Sequence, residues 1–340
     1  MVDPGINGQT SLVSVIIVNY NGKSFLDKCM GSLLRQSYPA VEITMVDNGS
    51  ADGSVAYLKE RYPGVKVIEN RENLGFAVAN NIGIRAAKGE LIATLNNDTE
   101  AAPRWLEELV KAMLSDESVG MCASKMLRMD DPTVIDSTGI CVSRSGACWD
   151  RGMFEKDNGQ YEVPDEVFGP CAGAALYRKA MLDETGPFDD DFVSYMEDTD
   201  LAFRGRLAGW KCRYVPGAVV YHVHGGTAGY VSDYTVYYGN RNIVWYPVKD
   251  FPAGLLLTSL PFIIGRSLGV IPYYIINGHG ITILRAKLDA IRGIPSMLHK
   301  RRAAAGNSDI NKFIKTWADM KKSPKAYIKP AGGDLTNKTK

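Results

Sequence analysis

The residues with most chemistry to offer lie at the ends of apolar runs. Asn96-Asn97-Asp98-Thr99-Glu100 follows Leu91-Ile92-Ala93-Thr94-Leu95, while Asn19-Tyr20-Asn21-Gly22 and Asp47-Asn48-Gly49-Ser50 follow two more such runs, 13–18 and 41–46. Open α/β sheets bind ligands just past the C-terminal ends of their strands, where the sheet edge leaves a crevice that loops complete. Asp98 in that place suits a metal ion and a diphosphate; the same cluster also suits a turn or a helix N-cap ahead of Pro103. Asp47 has two readings of the same kind, an acceptor for a pyrimidine N3–H or a ribose, or the pivot of an Asx-turn. Farther on, Tyr195-Met196-Glu197-Asp198-Thr199-Asp200 sets three acids at a predicted helix start. Each could cap that helix or face its dipole. The alternative is that Asp198 is a general base, taking a proton from an attacking hydroxyl. His222 and His224, two of the four histidines, stand at a strand end beside glycines.

The elements that would carry these groups follow from periodicity. Val13 to Val18 reads as a strand covered on both faces, as parallel strands are. Phe25, Leu26, Cys29, Leu33 and Leu34 form a helical stripe that stops by Pro39. Strands over 41–46, 65–68 and 91–95 then alternate with helices over 53–61 and 76–87. Four strands alternating with three helices predict a right-handed, doubly wound, mostly parallel sheet of Rossmann-like type. Its strand ends all lie on one edge, so the polar clusters converge on one ligand. A helix over 103–114 and a strand over 119–124 follow, and 125–170 has weak periodicity. There, Trp149, Arg151, Met153 and Phe154 read as a loop packed on the core, or as an acceptor surface. Gly169 to Ala175 is rich in small residues that permit close backbone approach, Gly173 among them. The helix from Asp198 has Leu201, Gly205 and Ala208 on one stripe, with Arg204 and Arg206 pointing away, and ends at Gly209. Lys211–Val215 and Ala218–Tyr221 read as two short strands.

Composition narrows the function. The 340 residues carry 39 basic and 38 acidic side chains, which gives no electrostatic case for nucleic-acid binding. The six cysteines show no CxxC pair and no zinc-like spacing, and read as buried thiols of a reducing compartment. Met-Val-Asp-Pro-Gly precedes the first strand without a basic or apolar leader, so the expected location is cytoplasmic. Neither GxGxxG nor GxxxxGK[ST] occurs, which favours a nucleotide held by side chains, with a metal on its phosphates.

The motifs VSVIIVNYNG, ITMVDNGSADGS, ENLGFAVANNIGI, TLNNDTE, GPFDDDFVSYMEDTDLAFR and VVYHVHGGT, in this order over about residues 12–250, resemble glycosyltransferase family 2, in its rhamnosyltransferase-like branch. The resemblance implies a GT-A fold, a nucleotide-diphospho-sugar donor (dTDP- or UDP-linked), a divalent metal (Mg2+ or Mn2+) and inversion at the anomeric carbon. By position, Asn19, Tyr20 and Asp47 would hold the nucleoside. Asn73, Gly75, Asn80 and Gly83 would shape its pocket. Asn97 and Asp98 would meet the diphosphate, with Asp98 on the metal. Asn96 stands where the family's first acid often stands. Asp198 would be the base, His222 would complete the metal site with His224 as fallback, and Glu197, Asp200, Arg204 and Gly173 would support the acceptor side. Residues 1–11 are expected as an arm, 12–124 as the nucleotide-binding half and 125–250 as the acceptor-binding half.

Tyr234 to Tyr246 is expected as a helix under the site. Beyond it, 255–264 and 267–276 are apolar runs split by Gly265 and Arg266. A spanning helix needs roughly 20 apolar residues, and a mid-bilayer arginine is costly. Helices lying in or dipping into the inner leaflet are expected, then a basic segment over 284–302, broken near Gly293 and Pro295, against anionic headgroups; a soluble hairpin, on the catalytic domain or at a homodimer interface, is the other reading. Residues 251–302 thus form a membrane-associating region, and 303–340 a polar tail. The whole predicts a peripheral or monotopic enzyme of the inner membrane face that acts on a lipid-linked or cell-surface polysaccharide acceptor. Two competing classes are a sugar-nucleotide nucleotidyltransferase, which would need a Gly-rich basic loop where Asn19-Tyr20-Asn21-Gly22 stands, and a catalytically idle membrane-associated scaffold.

Overall fold

Alternate residues of the first strand are buried on opposite sides, Val15 and Ile17 against one helical layer and Ile16 against the other. A strand with two buried faces must sit inside a sheet. The computed structural model describes residues 10–223, 231–301 and 310–315, and places β1 (Val13–Asn19) in parallel between β2 (Val41–Asp47) and β4 (Leu91–Asn96), with β3 (Lys66–Glu69) outside β2. Helices α1 (Leu26–Leu34), α2 (Ser54–Arg61) and α3 (Phe76–Ala86) make the crossovers. Close packing shows at Gly83 of α3, where a Cβ would come within 2.3 Å of the Ile16 side chain.

After β4 the chain makes a two-residue turn through Asn97 and Asp98 into β5 (Thr99–Ala101), and then α4 (Trp105–Leu114) covers the face formed by Val15, Ile17 and Leu95. β6 (Val119–Arg128) extends the sheet. The stretch of weak periodicity contains β7 (Ile135–Ser137), β8 (Ile140–Ser143), β9 (Cys148–Asp150) and β10 (Asp165–Glu166). β11 (Ala174–Arg178) enters antiparallel between β4 and β6, and after α5 (Lys179–Thr185) and α6 (Glu197–Leu207) the long β12 (Lys211–His222) pairs parallel to β6. The order is β10-β12-β6-β11-β4-β1-β2-β3, a mixed sheet whose main strands are parallel except β11. β13 (Ile314–Lys315) joins β8 and β9 in a small second sheet.

Three expectations are corrected here. The segments read as two strands over 211–221 form one strand, because β12 passes Pro216 and Gly217 with a register shift between Val215 and Val219 and resumes pairing. Proline in a strand is tolerated at such a bulge. Arg204 and Arg206 do not face away from α6; both are buried, since carboxylates and backbone carbonyls neutralise them. The basic helix is not broken: α10 (Gly280–His299) runs through Gly293 and Pro295. Gly293 is there because a Cβ would lie 2.4 Å from the Trp245 ring.

α7 (Asp233–Asp250) starts from a full capping box at Ser232 and packs on α6. α8 (Ala253–Gly269) and α9 (Ile271–Ile276) follow, and α10 packs back along α7. Residues 251–301 are therefore not detached from the sheet domain. His224, Arg302 and residues 1–9 fall outside the described residues, as does the tail apart from 310–315.

Candidate active site

Register brings the polar clusters together. Asn19 is paired with Asp47 and Val18 with Asn96, so the ends of β1, β2 and β4 lie side by side. Asn19 is buried and ties all three: its amide nitrogen donates to Asp47 Oδ1 (2.9 Å) and Ser54 Oγ (2.9 Å), and its oxygen accepts from Asn97 Nδ2 (2.8 Å). Gly22 lies over this clasp, where a Cβ would meet Asn97 Nδ2 at 2.0 Å. The second oxygen of Asp47 accepts from the backbone N–H groups of Gly49 (3.1 Å) and Ser50 (2.9 Å), so the Asx-turn is present. Tyr20 is the most exposed of this group. Asn73 Oδ1 accepts from Asn48 Nδ2 and from the Gly75 N–H, shaping the turn into α3. Asn80 is buried within α3 with its amide on the Phe76 carbonyl. Gly83 packs on β1, so it supports the sheet.

The turn at Asn97 and Asp98 is set against β12, with Thr99 opposite His222 and the Val223 N–H on the Asp98 carbonyl (3.0 Å). This puts His222 Nε2 3.2 Å from Asp98 Oδ1 and 3.3 Å from Asn96 Nδ2. The other ring nitrogen, Nδ1, lies 2.7 Å from Asp136 Oδ2. Burial alone would lower the His222 pKa, but hydrogen bonds to Asp136 and Asp98 outweigh it and raise the value to about 10. The two carboxylates therefore favour the protonated ring.

Among the described residues no group of three or more His, Cys, Asp or Glu side chains forms a metal cage. Two donors with a buried outer carboxylate are nevertheless a coherent partial site. Their 3.2 Å separation is near the ~2.9 Å edge of an octahedron about Mg2+, an ion that takes one or two protein ligands and completes its shell with water and substrate phosphates. A metal-ligating histidine ordinarily gives its other ring N–H to a carboxylate, as Nδ1 can to Asp136. The donors fit a hard divalent cation. Asp136 lies in the stretch of weak periodicity, and nothing in the sequence marks it; it reaches His222 through the β7–β6–β12 ladder.

Asp198 is held on the same edge. β11 runs antiparallel to β4, so the loop before it crosses the end of β4: Thr94 Oγ1 binds the Ala172 carbonyl (2.7 Å), the Asn96 N–H binds the Gly173 carbonyl (2.9 Å), and the Ala172 N–H points to Asp198 Oδ2 (3.3 Å). Gly173 leaves space for Asn96, whose Nδ2 would be 3.2 Å from an added Cβ. Burial raises the Asp198 pKa, partly opposed by hydrogen bonds from Ala172 and Thr199. Glu197 is buried, its Oε2 has no hydrogen-bond partner, and burial together with the Asp198 charge pushes its pKa well up. Asp200 is fully buried and pairs with Arg204 (2.7 Å) and Lys249; Arg204 also holds the Thr185, Gly186 and Pro187 carbonyls. Asp200 and Arg204 thus fix α6 to the loop before it, facing the core rather than an acceptor.

The loop entering α6 is strained. Val193, Tyr195 and Met196 have φ of 64°, 68° and 69°, a region β-branched and bulky residues rarely enter. The Ser194 N–H reaches the Phe192 carbonyl at 2.7 Å around Val193, a γ-turn of the uncommon positive-φ kind. Such backbone persists only where its surroundings over-determine it. Asn242 of α7 supplies this, its amide lying 2.8 to 2.9 Å from the Phe192, Ser194 and Tyr195 carbonyls, and Arg241 holds the Asp191 carbonyl at 2.6 Å. Gly75 closes over Val193, where a Cβ would clash at 2.4 Å. On the other flank, Met153 is buried, and the Arg151 guanidinium lies between the Tyr161 and Tyr214 rings at 5.0 and 4.9 Å, so this loop packs on the core.

Residues 14–186, half of the chain, match the family model described as glycosyl transferase family 2. The chain is 28% identical over 236 residues to the N-acetylglucosaminyl-diphospho-decaprenol L-rhamnosyltransferase of Mycobacterium tuberculosis, covering 63% of this chain and 76% of that one. It is 26% identical over 233 residues to an uncharacterized glycosyltransferase of Haemophilus influenzae, covering 66% and 69%. Its backbone is similar to that of a mannosyltransferase from Pyrobaculum calidifontis solved with GDP-Man and Mn2+, with a TM-score of 0.54 at 18% identity over 85% of this chain and 89% of that chain. The crevice at the parallel strand ends therefore sits in a GT-A fold, and the chain belongs to glycosyl transferase family 2 and is a glycosyltransferase.

Proposed function

We propose that the enzyme is a metal-dependent inverting transferase that moves a sugar, with rhamnose as first candidate, from a dTDP- or UDP-linked donor to a hydroxyl of a lipid-linked or cell-surface polysaccharide acceptor. The observation that carries this reading is the pairing, on one sheet edge, of the Asp98–His222–Asp136 group with the separately held carboxylate of Asp198. Asp98 and His222 would hold the divalent metal, which supplies Lewis-acid neutralisation of charge on the leaving nucleoside diphosphate. Asn19, Asp47 and Asn97 keep the nucleoside end of the crevice rigid, and exposed Tyr20 follows Asn19 in the chain. Asp198 accepts the proton of the attacking acceptor hydroxyl, a task its raised pKa suits. The raised Glu197 pKa favours its neutral form beside Asp198. One reacting carboxylate is enough, because a diphosphate leaving group needs charge stabilisation rather than protonation, unlike the alcohol that departs in glycoside hydrolysis.

The rhamnosyl and lipid-linked parts of the reading rest on the printed activity of the mycobacterial relative. The membrane part rests on Ala253–Ile276, 24 residues long and apolar enough to cross a bilayer, with Leu257, Ile264, Leu268 and Ile276 exposed. With Arg266 inside the run, α8 and α9 lie on or dip into the inner leaflet. The test is a panel of nucleotide-sugars with Mg2+ or Mn2+, scored for cleavage and for thermal stabilisation. Asp98→Ala should lose metal-dependent donor binding, whereas Asp198→Asn should bind donor and fail to transfer. Transfer by Asp198→Asn at the parent rate would overturn the assignment of the base.

A further inference from the structure

Buried cations in this molecule are matched to carboxylates almost throughout. Lys125 pairs with Asp157 and Glu162, Arg204 with Asp200, Arg206 with Glu166, and Lys249 with Asp189 and Asp200. Buried Arg241 is held by backbone carbonyls instead, and two partly buried cations, Arg266 of α8 and Lys287 of α10, stand apart. Among the described residues neither has a carboxylate within ion-pair distance: Lys287 Nζ donates to the Asn240 carbonyl at 3.1 Å, and Arg266 Nη1 is shielded from solvent with no hydrogen-bond partner. The two like charges also lie within electrostatic reach of each other. Withdrawing two unmatched cations from water, even in part, is unfavourable, and an anion joining them would offset that cost.

Their place in the fold says which anion. Arg266 lies within electrostatic reach of the Cys148 thiol, and Cys148 Sγ is 3.0 Å from Met196 Sδ and 3.5 Å from Thr199 Oγ1, so its neighbours in the chain flank Asp198. On the other side, α8 and α9 expose Leu257, Phe262, Ile264 and Ile276. We propose that Arg266 and Lys287 bind the phosphate or diphosphate of a lipid-carried acceptor, between the base that receives the acceptor hydroxyl and the apolar helices that receive the lipid. This rests on the glycosyltransferase reading above and adds a second anion site, distinct from the donor's site at Asp98 and His222. An arginine fork with a lysine point charge is a fitting donor set for phosphate oxygens. Burial and the Arg266 charge lower the Lys287 pKa to about 7, and a bound phosphate would offset both.

The experiment measures binding of farnesyl diphosphate to the full chain in detergent, beside inorganic diphosphate, farnesol and phosphatidylglycerol vesicles. The parent and Asp98→Ala should bind farnesyl diphosphate alike, Arg266→Gln and Lys287→Gln at least tenfold more weakly, and Lys287→Arg close to the parent. In the parent, farnesyl diphosphate should also protect Lys287 from acetylation by acetic anhydride, a readout that needs no variant to fold. Unchanged binding by both glutamine variants, absence of protection, or a preference for inorganic diphosphate or phosphatidylglycerol would overturn the proposal. Failure of the glycosyltransferase reading itself would show differently, as a parent chain that cleaves no nucleotide-sugar.

Discussion

Asp198 and Asp200 stand two residues apart at the start of α6 and meet opposite electrostatic surroundings. Burial raises the pKa of Asp198, which has no cationic partner among its hydrogen bonds. Burial would raise Asp200 as well, but the charges of Arg204 and Lys249 reverse that and lower it. The first arrangement suits a proton acceptor and the second a structural anchor. Asp198→Asn should therefore cost roughly 10²- to 10⁴-fold in turnover, read from transfer rates at saturating donor, with the melting temperature little changed. Asp200→Asn should leave buried Lys249 and Arg204 short of a partner and cost about 3–5 kcal/mol of stability, read from urea unfolding. Asp136 is the residue with the least sequence signal and a definite role. Asp136→Asn should weaken divalent-metal affinity by roughly 10- to 100-fold, measured by calorimetry, because the His222 ring loses the carboxylate that orients it.

At the scale of elements, α6 is placed from outside itself. Asp189, in the loop before it, receives Lys249 of α7 (2.6 Å) and Lys300, just past α10 (2.6 Å). Burial opposes its ionisation, yet the two lysines bring its pKa down to about 2. A folded pKa below the unfolded value stabilises the protein above about pH 4, and that contribution disappears as the pH falls through 2; it amounts to about 2 kcal/mol. Lys300→Met should lose part of it at neutral pH, and the stability gap between variant and parent should close as unfolding is followed down toward pH 2. The parallel half of the sheet was legible because both-face burial writes itself as the uninterrupted runs 13–18, 41–46 and 91–95. The charged face of α6 was not, since Arg204 and Arg206 look like solvent-facing residues until the carbonyls they bind are brought near by distant loops. The unbroken course of α10 was hidden for a similar reason: Gly293 reads as a helix end, while its role is to admit the Trp245 ring of another helix. The convergence of Asn19, Asp47 and Asn97 could be read from strand parity, but that Gly83 faces β1 depends on how α3 is rotated on it.

For the whole molecule, the site and the apolar helices are joined through α7, whose Asn242 and Arg241 hold the strained loop and whose length is packed by α10. The exposed apolar side chains of α8 and α9 continue on α10 with Ile281, Leu284, Leu288 and Ile291. Full-length protein should float with anionic vesicles. The pair Leu257→Glu and Leu268→Glu should shift it to the soluble fraction while leaving cleavage of a water-soluble donor unaltered. Equal flotation of parent and variant would dissociate these helices from the membrane.

The bulge in β12 carries a further consequence. Side chains of a strand alternate between faces, so the sense in which His222 points is fixed by the count of residues back to the last regular pairing, and the shift between Val215 and Val219 resets that count. The His222 ring is thus phased like a tooth on a gear. Loss of Gly217 alone would advance the strand by half a period, turning Tyr221 or Val223 toward Asp98 in its place. Length changes at this bulge should therefore be tolerated only in pairs of residues.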